Sequence, residues 1–299
     1  MTMYAAPETP LVEQFRELLG QNGANENAIQ TFLEQNITLM LTPGLLNHGL
    51  HQNCLISKFP IGERIADFAY LTKSSDEWKL ILVELEDPGK KLFVSSSKHH
   101  SFSAQMNDAI AQIDVWREYW TANRRAVVET IEPILVPPNM RRNSISLECV
   151  LIIGRSAEKD HDEAKRSRLA ALRADKRIQV MTYDTLIRAV AEEPQKPRAI
   201  LTKTGFGFRL RSVEGFPKDL FGRVYSEHLT VDPEPEKALR DAGYDIDAWL
   251  ANELLTVDGK LPLAGAWKRA EEAGFNSFRV NVLKAAEKRR RTGNDGPRS

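Results

Sequence analysis

Cysteine is scarce: Cys54 and Cys149 are the only two in 299 residues. Two thiols cannot build a disulfide framework or a four-ligand structural zinc site, which points to a reducing compartment. Charge of one sign is also lacking. Lys and Arg total 41, Asp and Glu total 41, and the formal net charge is zero. A global positive field that would hold the chain to nucleic acid is thereby excluded, while local basic patches remain open. Long hydrophobic runs are missing too. The longest, such as Leu80 to Val83 and Val150 to Ile153, fall far short of the roughly 20 residues that cross a bilayer. The first residues, MTMYAAPETPLVEQF, lack the basic and apolar regions of a signal peptide. No internal repeat or low-complexity tract occurs. What is there is ordinary globular usage, 42% hydrophobic and 27% charged, and a soluble, cytoplasmic protein is expected.

Residues 11–42 read as two amphipathic helices broken by the turn-rich QNGANE, with Ile29, Phe32 and Leu33 at helical spacing and Asn25 or Asn27 as N-cap. HQNCLISKF, ERIADFAYLT and EWKLILVELE are short runs rich in β-branched and aromatic residues, and predict three consecutive, mostly antiparallel strands. LFVSS near residue 92 predicts an additional edge strand. Gln105 to Asn123 returns to helical periodicity, with Met106, Ile110, Ile113 and Trp120 on one stripe. SLECVLIIG predicts a central strand buried on both faces. Glu158 to Asp175 predicts a solvated helix, IQVMTY another strand, and Asp184 the N-cap of TLIRAVAEE. The order α-β-β-β-α-β-α-β-α implies an α/β core with a mixed sheet. A boundary is placed near residue 200. Residues 201–299 are expected to form a mostly helical accessory region, although GFGFRLRSV alternates like a strand or hairpin.

Asp67, Glu84 and Glu86 carry the chemical signal. Asp67 shares its strand face with Ile65, Ala69 and Leu71, so a carboxylate points into an otherwise apolar face. Glu84 and Glu86 project to one side of their strand, after Leu80 and Leu82. Burying a carboxylate costs several kcal/mol unless it is paired or binds a cation. Oxygen donors of this kind suit Mg²⁺ or Mn²⁺. The other reading places the acids at strand ends, facing water or paired with Arg64, Lys90 or Lys91.

ADF, then VELE one strand later, then a helix carrying AQIDVW resemble the PD-(D/E)XK nuclease superfamily, whose αβββαβ core has the order read above. More narrowly, FLEQNITLML, ERIADFAYL, WKLILVELEDPGKKLF, AIAQIDVWREYW, LIIGR and MTYDTLI, in order from about residue 26 to residue 190, resemble the nuclease domain of Shedu anti-phage defence proteins. The resemblance implies a nuclease domain over residues 1–200 with its N-terminal helices. It implies Asp67 and Glu84 as metal ligands, the Leu85 carbonyl as a third, Gln112 on the helix across the site, and Trp116 one turn on. Glu26 matches an additional acid of many relatives.

Glu86 departs from the pattern, which usually has lysine there. Either the carboxylate assists hydrolysis or holds a second metal, or it marks a lost activity; Lys90 and Lys91, just beyond the turn at Asp87-Pro88-Gly89, are placed to reach the phosphate in place of the missing lysine. The implied function is metal-dependent hydrolysis of DNA, with Mg²⁺ as cofactor, Mn²⁺ able to substitute, and a homo-oligomer as the assembly. A catalytically silent nucleic-acid-binding or assembly module is the competing reading, and a phosphodiesterase acting on nucleotides or RNA is a third.

Affinity for DNA has to come from local cations. Candidates are Arg124-Arg125, Arg141-Arg142 and Lys288 to Arg291. His99-His100 reads as surface and Cys149 as a core residue. Gly154-Arg155 reads as a turn with a solvated arginine, a structural or DNA-facing role staying open. Trp116, Tyr119 and Trp120 read as helix packing. Trp249, Leu250, Leu254 and Leu255 are either interface or core.

Overall fold

The short runs rich in β-branched and aromatic residues over residues 54–85 fold as the expected meander. In the computed structural model these are β1 (Cys54–Ile61), β2 (Arg64–Lys73) and β3 (Glu77–Leu85), paired antiparallel in sequence order. The structure describes residues 10–251 except 22–24, 96–99, 137, 193–197, 214–223, 225 and 242. The fold is mixed α/β.

β4 (Ser144–Ile152) and β5 (Ile178–Met181) extend the meander in parallel on the β3 side. The second half of β4 is buried throughout, as its apolar run predicts; its first half is only partly so. On the opposite flank β6 (Ala199–Thr204) pairs parallel with β1, followed by β7 (Gly207–Val213) and β8 (Leu229–Val231). The result is one eight-stranded mixed sheet in the order β5-β4-β3-β2-β1-β6-β7-β8. The sheet thus runs on past residue 200, and GFGFRLRSV supplies its hairpin.

Two helical layers cover the sheet because the central strands β1, β2 and β3 bury residues on both sides. α3 (Ala104–Ile131) lays Met106, Ile110, Ile113 and Trp116 over Leu80, Leu82 and Leu151. It begins at Ser103, whose hydroxyl accepts from the Met106 N–H, and runs two turns beyond the predicted stripe, past a break at Asn123. On the other face α1 (Pro10–Gly20), α2 (Glu26–Gln35) and α5 (Tyr183–Glu192) pack Phe15, Ile29, Leu33 and Leu186 on Phe68, Ile81, Val83 and Ile152. Asn25 caps α2 by accepting from the Ala28 N–H. α4 (Glu163–Lys176) buries none of its residues and is the solvated helix expected. α6 (Pro233–Asp241) and α7 (Ile246–Leu250) follow β8.

Two local expectations are corrected. LFVSS makes no strand: Phe93 forms one isolated bridge to Phe102, and the loop is held by Glu158, which accepts from the Leu92 and Phe93 N–H groups. Asp184 is no N-cap, because α5 starts one residue earlier. Its carboxylate instead takes three hydrogen bonds from Arg155 Nε and Nη2 and one from the Ser156 backbone. Arg155 is therefore a structural partner of α5.

Candidate functional site

Strand register brings the acids together. Phe68 pairs with Val83, so Asp67 and Glu84 are the next residues across β2 and β3, at the end of the sheet where the ladder stops. Glu84 lies on the face covered by α3, where Gln112 meets it. Asp67, Glu84 and Glu86 are 4%, 4% and 6% exposed, values at which an ionised carboxylate requires compensation.

Each acid finds a different partner. Asp67 Oδ2 accepts the Leu85 N–H at 2.8 Å, and Oδ1 receives the Lys58 ammonium at 2.9 Å. Glu84 Oε1 accepts from the Gln112 amide, and Oε2 is buried with no partner. Glu86 pairs with Lys90, and its carbonyl accepts the Tyr183 hydroxyl at 2.6 Å. Burial drives the Glu84 carboxyl up to about 9, with Asp67, Glu86 and Glu26 adding repulsion. Burial also raises Asp67, against the pull of the Leu85 N–H and Lys58. Glu26, at the start of α2, is raised by burial and then by Asp67 and Glu86, which places it within electrostatic reach of the site.

Lys58 carries no signal in the sequence. It sits inside β1 with φ of +51°, a left-handed conformation that costs a non-glycine residue about 1–3 kcal/mol. That twist occurs between the Ser57–Phe68 and Phe59–Ala66 pairs, opposite Asp67. α2 fixes it from the other face: Gln30 accepts from Lys58 and donates to Glu34 at 3.1 Å, and Glu34 accepts the Ser57 hydroxyl. Arg211 of β7 lies 3.7 Å from Glu34. Lysine, glutamine and glutamate on two elements thus hold one face of Asp67, and only their tertiary meeting reveals them.

Other expected residues are placed elsewhere. Ile65 is not in the apolar face but 55% exposed, like Arg64 beside it at the start of β2. Trp116 is fully buried and Cys149 is core, its thiol pushed up to about 12 by burial. Arg124 bonds the Ile145 carbonyl and stacks on Trp120; Arg141 bonds the Leu135 carbonyl. Both therefore serve the fold. Trp249 is buried and Leu250 exposed. His99, Leu254, Leu255 and Lys288 to Arg291 lie outside the described residues.

The oxygen-only donors fit a hard divalent cation, and the orphaned Glu84 Oε2 is a group such a cation would satisfy. Among the described residues no three acidic, histidine or cysteine side chains converge as a ready metal cluster. Lys58 and Lys90 draw Asp67 and Glu86 toward themselves instead. Among the described residues no helix is long and apolar enough to cross a membrane.

A family model described as "Shedu protein SduA, C-terminal" matches residues 23–187. The segment contains every acid of the site. The chain is also 27% identical over 147 residues to KsdD-like steroid dehydrogenases of two Mycobacterium tuberculosis strains, H37Rv and CDC 1551, over 45% of this chain and 25% of theirs. It thus spans about a quarter of the length of the curated relatives it matches. It has no Gly-x-Gly-x-x-Gly fingerprint: its one Gly-x-Gly, at Gly205 and Gly207, is followed by Leu210.

Proposed function

Because this chain belongs to the Shedu family, residues 23–187 matching its SduA C-terminal model, we propose that it is a metal-dependent DNA endonuclease of anti-phage defence, with a PD-(D/E)XK core. One observation carries the proposal: a buried glutamate, Glu84, keeps an unpartnered oxygen beside Asp67, Glu86 and Glu26. A fold gains nothing from that concentration of negative charge, whereas a bound cation does, and a cation so held can in turn attract a phosphate.

Asp67, Glu84 and the Leu85 carbonyl would hold Mg²⁺ or Mn²⁺. When bound, the cation polarises the phosphoryl oxygen and lowers the pKa of an attacking water. The chain's own groups do the rest. Gln112 fixes the orientation of Glu84 through its amide. Lys58 and Lys90 stand beside the acids with their ammonium groups partly exposed, and face the non-bridging oxygens of a phosphodiester that enters there. Lys58 so supplies the positive charge that Glu86 does not. Tyr183 anchors the backbone at Glu86 and keeps the Asp87–Lys90 turn in place.

Cleavage of supercoiled and linear DNA with EDTA, Mg²⁺ or Mn²⁺ tests this, comparing wild type with Glu84→Ala. Metal-dependent cleavage that vanishes in the variant is the expected result. The Glu86–Lys90 pairing and the missing ready-made cluster favour a second reading, a silent nucleic-acid-binding module. Binding of DNA without hydrolysis under every metal would select it.

A further inference from the structure

Among the described residues five large apolar side chains are exposed, and two of them, Ile65 and Phe206, stand at the site end of the sheet. Phe206 is 96% exposed, and leaving such a ring in water forgoes about 1.5–3 kcal/mol of burial. It occupies the tip of the β6–β7 hairpin, where Thr204 pairs with Gly207. The turn explains its neighbours. Gly205 has φ of +46°, and a Cβ on Gly207 would lie 2.6 Å from the His228 carbonyl oxygen. Nothing in the fold explains the phenylalanine.

Register locates the tip. Ser57 pairs with Thr202 and with Phe68, and Phe68 with Val83. Lys203, Lys58, Asp67 and Glu84 therefore form a row across four neighbouring strands, with Lys203 about 10 Å from Asp67 at ~4.8 Å per strand. Phe206 projects beyond that row. Ile65 precedes Asp67 by two residues in β2, about 7 Å along the strand. The Lys203 ammonium bonds the Gly205 carbonyl and lies over the Phe208 ring, so the tip is preorganised. Lys58 and Arg64 add cationic charge around it. One ring and one isoleucine are far too little for a stable protein interface, which buries about 1,000 Å² or more. A rigid aromatic tip among cations, beside a site for phosphodiesters, suits a base face.

We propose that Phe206, with Ile65 beside it, is a base-contacting wedge that stacks on a nucleobase outside the duplex and seats the neighbouring phosphodiester over Asp67 and Glu84. The substrate class is then single-stranded or locally unpaired DNA. The proposal rests on the nuclease reading of the site.

Its test is made on the full chain in EDTA, by anisotropy with single-stranded and duplex oligonucleotides and by quenching of a 2-aminopurine base. Wild type should bind the single strand more tightly. Phe206→Ser should weaken that binding about tenfold or more, abolish the quenching and leave duplex affinity and melting temperature unchanged; Phe206→Tyr should restore both signals. Equal single-strand binding by wild type and Phe206→Ser overturns the wedge, even if DNA is cleaved with metal. A fall in sedimenting mass with unchanged DNA affinity overturns it in favour of self-association. Stacking-dependent binding without cleavage in Mg²⁺ or Mn²⁺ supports the wedge and retires the nuclease reading.

Discussion

At Glu84, burial and the surrounding carboxylates hold the acid up to about 9, against an ordinary value of 4.5. Between those values the folded chain keeps a proton that the unfolded chain has lost, so stability falls as pH rises through that window. The metal-free protein should lose about 5 °C or more of melting temperature between pH 5 and pH 9. Glu84→Gln, which mimics the protonated acid, should flatten that slope and abolish cleavage. Mn²⁺ should raise the melting temperature more at pH 8 than at pH 6, since the cation competes with the proton. Lys58 makes a separate prediction. Its ammonium sits 2.9 Å from Asp67 and opposes a second cation. Lys58→Met should therefore tighten Mn²⁺ binding by about fivefold or more in calorimetry while lowering cleavage at least tenfold. A loss of both would mean that Lys58 serves only to shape the site.

α3 is the element that ties the core to the chemistry. Its stripe anchors on β3 and β4, its amide residue Gln112 holds Glu84, and its cap Ser103 donates to the Lys91 carbonyl next to Lys90. Ser103→Ala should cost about 1 kcal/mol, a drop of about 3 °C in melting temperature, and should also reduce cleavage because both Gln112 and Lys90 lose a fixed support. The stripe itself was legible from spacing. Its extra turns were not: residues after Asn123 pack Val127 and Ile131 into the core although the pattern there is weakly apolar. The meander was legible because strand-forming composition between turn residues is a local property of each run. The parallel pairing of β6 with β1 was not, since it joins residues far apart in sequence and depends on which edge stays free.

Across the whole molecule the balanced charge limits electrostatic attraction. The cations at the site end, among them Lys58, Arg64, Lys90 and Lys203, can contact only a few phosphates. DNA affinity measured in EDTA should fall with salt at a log–log slope of about −3 to −4, corresponding to about four phosphates. A slope near −8 would place the DNA on another, strongly basic surface. Arg124 and Arg141, expected from sequence as DNA contacts, bond backbone carbonyls, and their removal should lower the melting temperature more than the affinity.

The order of elements and the acids Asp67, Glu84 and Glu86 were legible in the chain itself, because residue type and spacing are read over a few neighbouring positions, whereas Gln112 was singled out only by the family resemblance. Tertiary structure decided the rest. It turned Lys58 into a left-handed conformation opposite Asp67, bound Arg155 to Asp184, exposed Ile65 at the start of β2, and set the Phe206 hairpin two strands from Asp67. Each depends on which strand or helix arrives from a distance, and such contacts leave no periodic trace in sequence.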